Sequence, residues 1–207
     1  VMMVTALLTL FVATIYMARI GNVKRMIAYS GIEHMAVVTL GLCFGRAGLM
    51  AALLHIVMHT FVKSGLFFHF TQIWRTYGSK MIDDMGDYFK LNPFGALVLL
   101  FGFISIAAIP PSGLFFSELL VFKAMLAEGS YLIFGLTAFM LTVLLWAFAR
   151  SMFRIIFLPA SRPVEPVKNS PWESVSQLLL FALAAYIGFN PPAFLMELLR
   201  EAASMIA

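Results

Sequence analysis

The chain of 207 residues is 62% hydrophobic and 12% charged, with a mean hydropathy of +0.95 and a formal net charge of +4. That apolar share excludes an ordinary soluble domain, and a lone Cys43 excludes an internal disulfide framework, a four-cysteine iron–sulfur site and a cysteine zinc cluster. The basic residues fall between apolar segments and form neither a face nor a run, which points to membrane topology and away from nucleic acid.

A membrane crossing needs about 20 mainly apolar residues. The opening "VMMVTALLTLFVATIYMAR" is too long and apolar for a signal peptide and ends in no small-residue cleavage site, so it reads as a first crossing over roughly 2–19. It has no initiating methionine or polar leader, and the sequence is expected to be a fragment of something longer. A second crossing follows over roughly 26–45 and a third over roughly 48–74, the latter long enough to tilt or project beyond the bilayer. After the loop "YGSKMIDDMGDYFKLNP" comes a fourth, over roughly 94–127, with Pro110, Pro111 and Gly113 in its middle. Two prolines delete two backbone donors and push the preceding residues out of helical geometry, so this helix should break into two halves. Broken backbone at membrane depth is tolerated only inside protein or beside a wet cavity; a simple proline kink is the alternative. The fifth and sixth crossings lie at roughly 130–157 and 172–189, joined by "LPASRPVEPVKNSP". The expected fold is all-α, a polytopic transmembrane helix bundle over 1–189, with 190–207 ("NPPAFLMELLREAASMIA") a short amphipathic helix on the outer surface.

With the first helix entering from outside, the cytoplasmic side collects ten basic residues: Arg19, Lys24, Arg25, Arg75, Lys80, Lys90, Arg150, Arg154, Arg162 and Lys168. The outside keeps two, Arg46 and Arg200. This bias sets the orientation.

Away from their ends, the crossings hold the ionisable residues Glu33, His34, His55, His59, Lys63, His69, Glu118 and Lys123. A charged side chain at a helix centre costs about 2.5–3.5 kcal/mol on insertion scales, so such residues face a bundle interior and mark ion or proton routes. His55, His59 and Lys63 are spaced i, i+4, i+8 and form a polar stripe over roughly 12 Å of one helix face. Desolvation penalises the ammonium form of a lysine at that depth, which would let Lys63 load and release a proton; histidine relays protons at physiological pH without such tuning. Glu118 lies in the first turns after the break, where a helix N-terminus favours a carboxylate and the surrounding apolar side chains oppose it. Plainer roles exist for several of these. Lys123 can snorkel outwards, His69 can sit at the interface, and Glu33 and His34 can make structural hydrogen bonds between helices. His55 and His59 have a spacing that can hold a metal, yet no Glu follows His55 and the next residue on that face is Lys63, a cation that repels one. A haem held by two helices, for instance at His34 and His59, also suits these neighbours less well than protons do.

Three stretches in order, "VKRMIAYSGIEHM" (23–35), "HIVMHTFVKSGLFF" (55–68) and "IPPSGLFFSELLVFKA" (109–124), resemble the antiporter-like membrane subunits of respiratory complex I, Mrp-type cation/proton antiporters and membrane-bound hydrogenases. The "IEHM" stretch most resembles the hydrogenase-4 and formate hydrogenlyase branch, component F type. The resemblance implies the second inverted five-helix repeat of such a subunit plus its last helix, with the glutamate–lysine pair of the first repeat missing. It implies His34, His59, Lys63 and Glu118 as proton-relay residues and Lys24 as the basic residue opening its helix; Lys24 and the ionisable residues inside the crossings Glu33, His55, His69 and Lys123 are secondary candidates. Pro110, Pro111 and Gly113 are implied as the helix break. It further implies a proton-translocating, non-catalytic subunit in a bacterial or archaeal plasma membrane. No cofactor is expected in this chain, and redox chemistry is expected in partner membrane subunits of a hydrogenase-like or complex I-like assembly. The alternative is a sodium/proton antiporter subunit of the Mrp type, or an anchor whose polar groups only fix packing.

Overall fold

The computed structural model describes residues 1–162, 164 and 170–206, so Lys168 lies outside the described residues. These residues are nearly all helical and contain no strand; one isolated antiparallel bridge joins Asn22 to Met81. In chain order the helices are α1 (Met2–Ala18), α2 (Val23–Gly41), α3 (Gly45–Tyr77), a 3-10 turn (Ile82–Asp84), α4 (Tyr88–Leu91), α5 (Pro93–Ile106), α6 (Gly113–Ala127), α7 (Tyr131–Phe157), α8 (Pro171–Phe189) and α9 (Ala193–Ile206). Among them α3, α7 and α8 are long and apolar enough to cross a membrane, while α1 and α5 are apolar but shorter.

Local chemistry sets the ends. The Asn22 side chain accepts from the backbone N–H groups of Lys24 (3.0 Å) and Arg25 (3.3 Å), which starts α2 at Val23, a few residues before the apolar run alone suggests. Asn92 caps α5 in the same way, accepting from Gly95 at 3.0 Å, with Pro93 in the first turn. α3 stops at Gly78, whose φ of 63° is left-handed and whose N–H donates to the Trp74 carbonyl at 2.8 Å. At 33 residues α3 is about 50 Å long, well beyond a hydrocarbon core.

The helical ladder ends at Ile106 and resumes at Gly113. Between them the chain satisfies itself: Ile109 N–H donates to the Ile104 carbonyl (3.1 Å) and Ser112 N–H to the Ile109 carbonyl (2.9 Å), while Pro110 and Pro111 have no N–H to satisfy. Ala108 sits at φ 47°, a left-handed conformation that costs a non-glycine residue energy and that packing must enforce. Ser112 then caps α6, its Oγ accepting from Phe115 N–H at 3.1 Å. Pinning comes from α8. Gly113 and Gly188 lie in backbone contact, so a Cβ on Gly188 would collide with Gly113 Cα. Two turns away, the Phe181 ring wedges between Gly65 of α3 and Gly102 of α5.

The ends of the bundle agree with the charge bias. Val23 N–H donates to the Lys80 carbonyl and Ile82 N–H to the Gly21 carbonyl, both at 2.9 Å. Arg154 pairs with Asp83 (3.2 Å) and Arg75 with Glu173. These contacts gather Arg19, Lys24, Arg25, Arg75, Lys80 and Arg154 at one end. Outside the bundle, Leu8, Phe11, Ile15, Leu132, Phe139, Trp146 and Leu179 are exposed apolar side chains, an outer surface matched to lipid.

Candidate functional site

One group of buried polar residues meets where α2, α3 and the interval between α5 and α6 converge. His34 of α2 and His55 of α3 are both fully buried, with His34 Nδ1 3.0 Å from His55 Nε2. His34 Nε2 lies 3.0 Å from the carbonyl oxygen of Ile106, the last residue of α5. A carbonyl only accepts, so His34 carries a proton on Nε2. In the neutral pair His34 Nδ1 therefore accepts from His55 Nε2–H, which leaves His55 Nδ1 to accept from Ser117 Oγ–H at 2.9 Å. Ser117 Oγ also lies 3.0 Å from the Leu114 carbonyl, so its hydroxyl can turn away and become an acceptor when His55 Nδ1 is protonated. The pair can thus hold an extra proton by rotating one hydroxyl. Glu118 Oε1, 3.6 Å from His34 Nδ1, is the counter-charge for that state.

His59 lies one turn further along α3, its ring centroid 5.0 Å from that of His34. Its Nε2 is buried and has no hydrogen-bond partner among the described residues. One turn on again, Lys63 Nζ donates to the Ile27 carbonyl and to Ser30 Oγ (2.8 Å) and lies 5.6 Å from the Phe67 ring centroid. Two oxygen acceptors and one aromatic face around an ammonium in an apolar bundle offset part of its desolvation.

Two cavities flank this row. His59, Lys63, Ser64, Thr5, Thr9 and Thr60 line an open groove of about 680 Å³ between α1, α2 and α3. On the other side, Ser30, Glu33, Glu118, Ile106 and Thr142 line a cavity of about 220 Å³. Both are roomy and polar enough for several waters. Ser30 bonds Lys63 and also lines the second cavity, so the two sides meet at this hydroxyl.

Residues 1–145 match the family model described as NADH:quinone oxidoreductase/Mrp antiporter, TM. The chain belongs to this family. The hydrogenase-4 component F homolog of Methylacidiphilum infernorum is 32% identical over 182 residues, 86% of this chain and 37% of that relative. Among solved structures, the membrane-bound sulfane sulfur reductase, an archaeal respiratory membrane complex, contains a chain that is 28% identical with a TM-score of 0.83, covering 99% of this chain and 42% of that one. A chain of the Mrp complex from Dietzia sp. DQ12-45-1b has the same fold, with a TM-score of 0.84 at 18% identity, covering 98% of this chain and 46% of that one. The chain therefore spans less than half the length of these relatives. Family and apolar helices together make it an integral membrane protein of the antiporter-like type.

In this antiporter-like chain, five of the residues singled out by sequence stand together: His34, His55, His59, Lys63 and Glu118, with half-buried Glu33 on the wall of the smaller cavity. His69 is buried elsewhere, its Nδ1–H donating to Gln177 Oε1 of α8 at 2.6 Å with the Tyr88 hydroxyl 3.4 Å from Nε2. Lys24 is exposed at the start of α2, and Lys123 is exposed on α6 beside a separate pocket lined by Ala47 and Met196. Ser30, Ser117 and the Ile106 carbonyl were not singled out. Hydroxyls and backbone carry no charge and so leave no mark on a hydropathy profile; the lone serines in "AYS" and "FFSELL" were the available signal.

Three of these side chains also place metal-binding atoms together: donor atoms of His34, His55 and Glu118 all lie within 4.8 Å of one another.

Proposed function

We propose that this chain is the proton-relaying part of an antiporter-like subunit in a membrane-bound hydrogenase or NADH-quinone oxidoreductase-like complex, with the electron-carrying cofactors in partner membrane subunits. The observation that carries it is the polar row between two cavities: Lys63 and His59 on one, Glu118 and Glu33 on the other, His34 and His55 between. In this reading six crossings are formed by α1, α2, α3, α5 with α6, α7 and α8, as one transmembrane unit over 1–189. Residues 190–207, with α9, lie along the outer surface. At 14 and 15 residues, α5 and α6 are each about 21–23 Å long, too short to cross alone and sufficient together. Pro110, Pro111 and Gly113 form the break that opens the backbone towards water.

A charge change in a partner subunit shifts the protonation of Lys63, and the row passes charge along to Glu118. The energies match. Unit charges 4 Å apart interact by about 4 kcal/mol at an effective dielectric of 20, whereas moving one charge across 100 mV takes about 2.3 kcal/mol. Lys24 and His69, towards the basic end of the bundle, and Lys123, towards the other, are the outlying stations.

The test is reconstitution of the full complex in vesicles with Lys63→Ala. The reading requires lost proton translocation with assembly and electron transfer to soluble acceptors retained. Unchanged translocation sinks it, and exchange that follows sodium without an electron donor assigns the chain to an Mrp-type antiporter instead.

A further inference from the structure

The His34–His55 contact is built in a way that suits a second occupant besides the shared proton. The inward nitrogens, Nδ1 of His34 and Nε2 of His55, face one another at 3.0 Å, and each outward nitrogen already has an oxygen partner. His34 Nε2 is held by the Ile106 carbonyl at 3.0 Å and His55 Nδ1 by Ser117 Oγ at 2.9 Å. Metal-ligating histidines are oriented in this way, the ring nitrogen away from the ion donating to a carbonyl or other oxygen. Glu118 Oε1 stands 3.6 Å from His34 Nδ1 and completes a set of two imidazoles and one carboxylate. A tetrahedral ion bound at about 2.0–2.1 Å spaces its ligand atoms by about 3.3–3.4 Å. The nitrogens need to part by a few tenths of an ångström, and the carboxylate, with the three ligand atoms lying within 4.8 Å of one another, to swing towards His55 by about an ångström. Side-chain rotation is enough.

The surroundings suit an ion as well. Glu118 opens on the cavity of about 220 Å³ that Glu33 also lines, which gives a path in and room for a water in the fourth position. The objection raised by the sequence concerned His55 and His59, with Lys63 next on the same face. The structure pairs His55 with His34 of another helix and supplies the missing carboxylate from α6. Lys63 directs its ammonium to the Ile27 carbonyl and Ser30, so the nearest charge to the two imidazoles with a described contact is the Glu118 carboxylate.

We propose that His34, His55 and Glu118 form a binding site for a divalent transition-metal ion of the Zn²⁺ class, with water as fourth ligand. Imidazole and carboxylate ligands select zinc-like ions over Mg²⁺ and Ca²⁺, which need oxygen shells. The ion occupies the lone pairs that a proton would use, so a loaded site blocks passage through the pair. The ion site stands on the placement of three side chains and not on proton transfer, so it can be tested in a complex that moves no protons.

The test uses the intact purified complex, washed with chelator, then equilibrated with Zn²⁺ and freed of unbound metal by gel filtration. Elemental mass spectrometry should find one more zinc per complex in the wild type than in His55→Gln or Glu118→Gln, and Lys63→Gln should keep the wild-type count. Co²⁺ loaded in place of zinc should give strong tetrahedral visible absorption that both ligand variants lose. Ser117→Ala, which removes only the oxygen that orients His55, should weaken zinc binding about 10–100-fold. Should the ligand variants fail to assemble, X-ray absorption of the zinc taken up by the wild type decides without them: nitrogen and oxygen neighbours with two imidazoles support the site. Equal zinc content in wild type and both ligand variants, or a sulfur-containing shell, overturns it.

Discussion

His34 is fixed at both ring nitrogens, by the Ile106 carbonyl and by His55, each at 3.0 Å, so one side chain ties α2 to α3 and to the end of α5 at the break. Removing it leaves two buried polar groups unpaired. His34→Ala is therefore expected to destabilise the subunit by about 1–3 kcal/mol, the cost of an orphaned buried polar group. Thermal unfolding of the purified complex checks this, and an unchanged midpoint would mean that water replaces the imidazole at no cost.

Gly31 lines the groove beside Lys63, and a Cβ there would stand 3.4 Å from Lys63 Nζ, an ordinary contact. Gly31→Ala should be accepted with proton translocation close to wild type. Gly31→Leu should fill the groove and displace the ammonium from Ser30, cutting translocation at least tenfold while the complex still assembles. Equal rates for the two variants in vesicles would place the water route elsewhere.

Much of this was legible in the residues. Long apolar runs announced the helices, and the diproline lies in the interval where the helical ladder stops at Ile106 and resumes at Gly113, because a missing N–H and a steric clash act locally and need no tertiary context. Positions 55, 59 and 63 declared a polar face by spacing alone. What spacing along one helix could not disclose was which histidine meets which. His34 and His55 are 21 residues apart on different helices, and their contact depends on how α2 packs on α3. The same limit hid Ser30, Ser117 and the Phe181 wedge between Gly65 and Gly102, all of them matters of helix-to-helix placement.

At the basic end, Glu173 accepts from both Arg75 and Gln72, while His69 is bonded to Gln177 deeper in the bundle. Arg75 and Glu173 side chains are 46% and 39% exposed, so their ion pair contributes about 0–1 kcal/mol and is screened by salt. Gln177 is 1% exposed and its loss strands a buried histidine. Arg75→Ala should lower the thermal midpoint of the complex less than Gln177→Ala, which should cost about 1–3 kcal/mol. The reverse order would show that the surface pair, and not the buried one, holds α8 to α3.

Asp87, in the loop outside the crossings, accepts from Lys90 (2.6 Å) and from Ala160 N–H (3.2 Å), and these partners hold its carboxyl below the usual range. A depressed carboxyl stabilises the fold above its unfolded value of about 3.9, and that contribution disappears as pH falls through the lower folded value. Acidification below about pH 4 should therefore loosen the tie between this loop and the end of α7, and Asp87→Ala should do the same at neutral pH. Limited proteolysis after residue 158 reads it: faster cleavage in Asp87→Ala is expected, and identical cleavage would make the Leu158 contact to Asp87 N–H sufficient by itself.

Gly188 of α8 and Gly113 at the start of α6 touch through their backbones, which makes the pair the seat on which the break rests. Gly188→Ala forces a methyl against Gly113 Cα. Backbone cannot yield as a flexible side chain does, so the helices must separate, at a cost of about 1–3 kcal/mol typical of overpacking. The displacement is carried by α6, and with it Ser117 and Glu118 move relative to His55 and His34. Gly135 on α7 offers the control, since a Cβ there meets nothing within 4 Å. Alanine at that position should leave translocation unchanged and, by helix propensity, raise stability by about 0.5–1 kcal/mol. Gly188→Ala should lower both the thermal midpoint and the translocation rate in vesicles. A variant that loses stability but keeps its full rate would separate the seat from the relay, and would place the proton path away from the α6 side of His34.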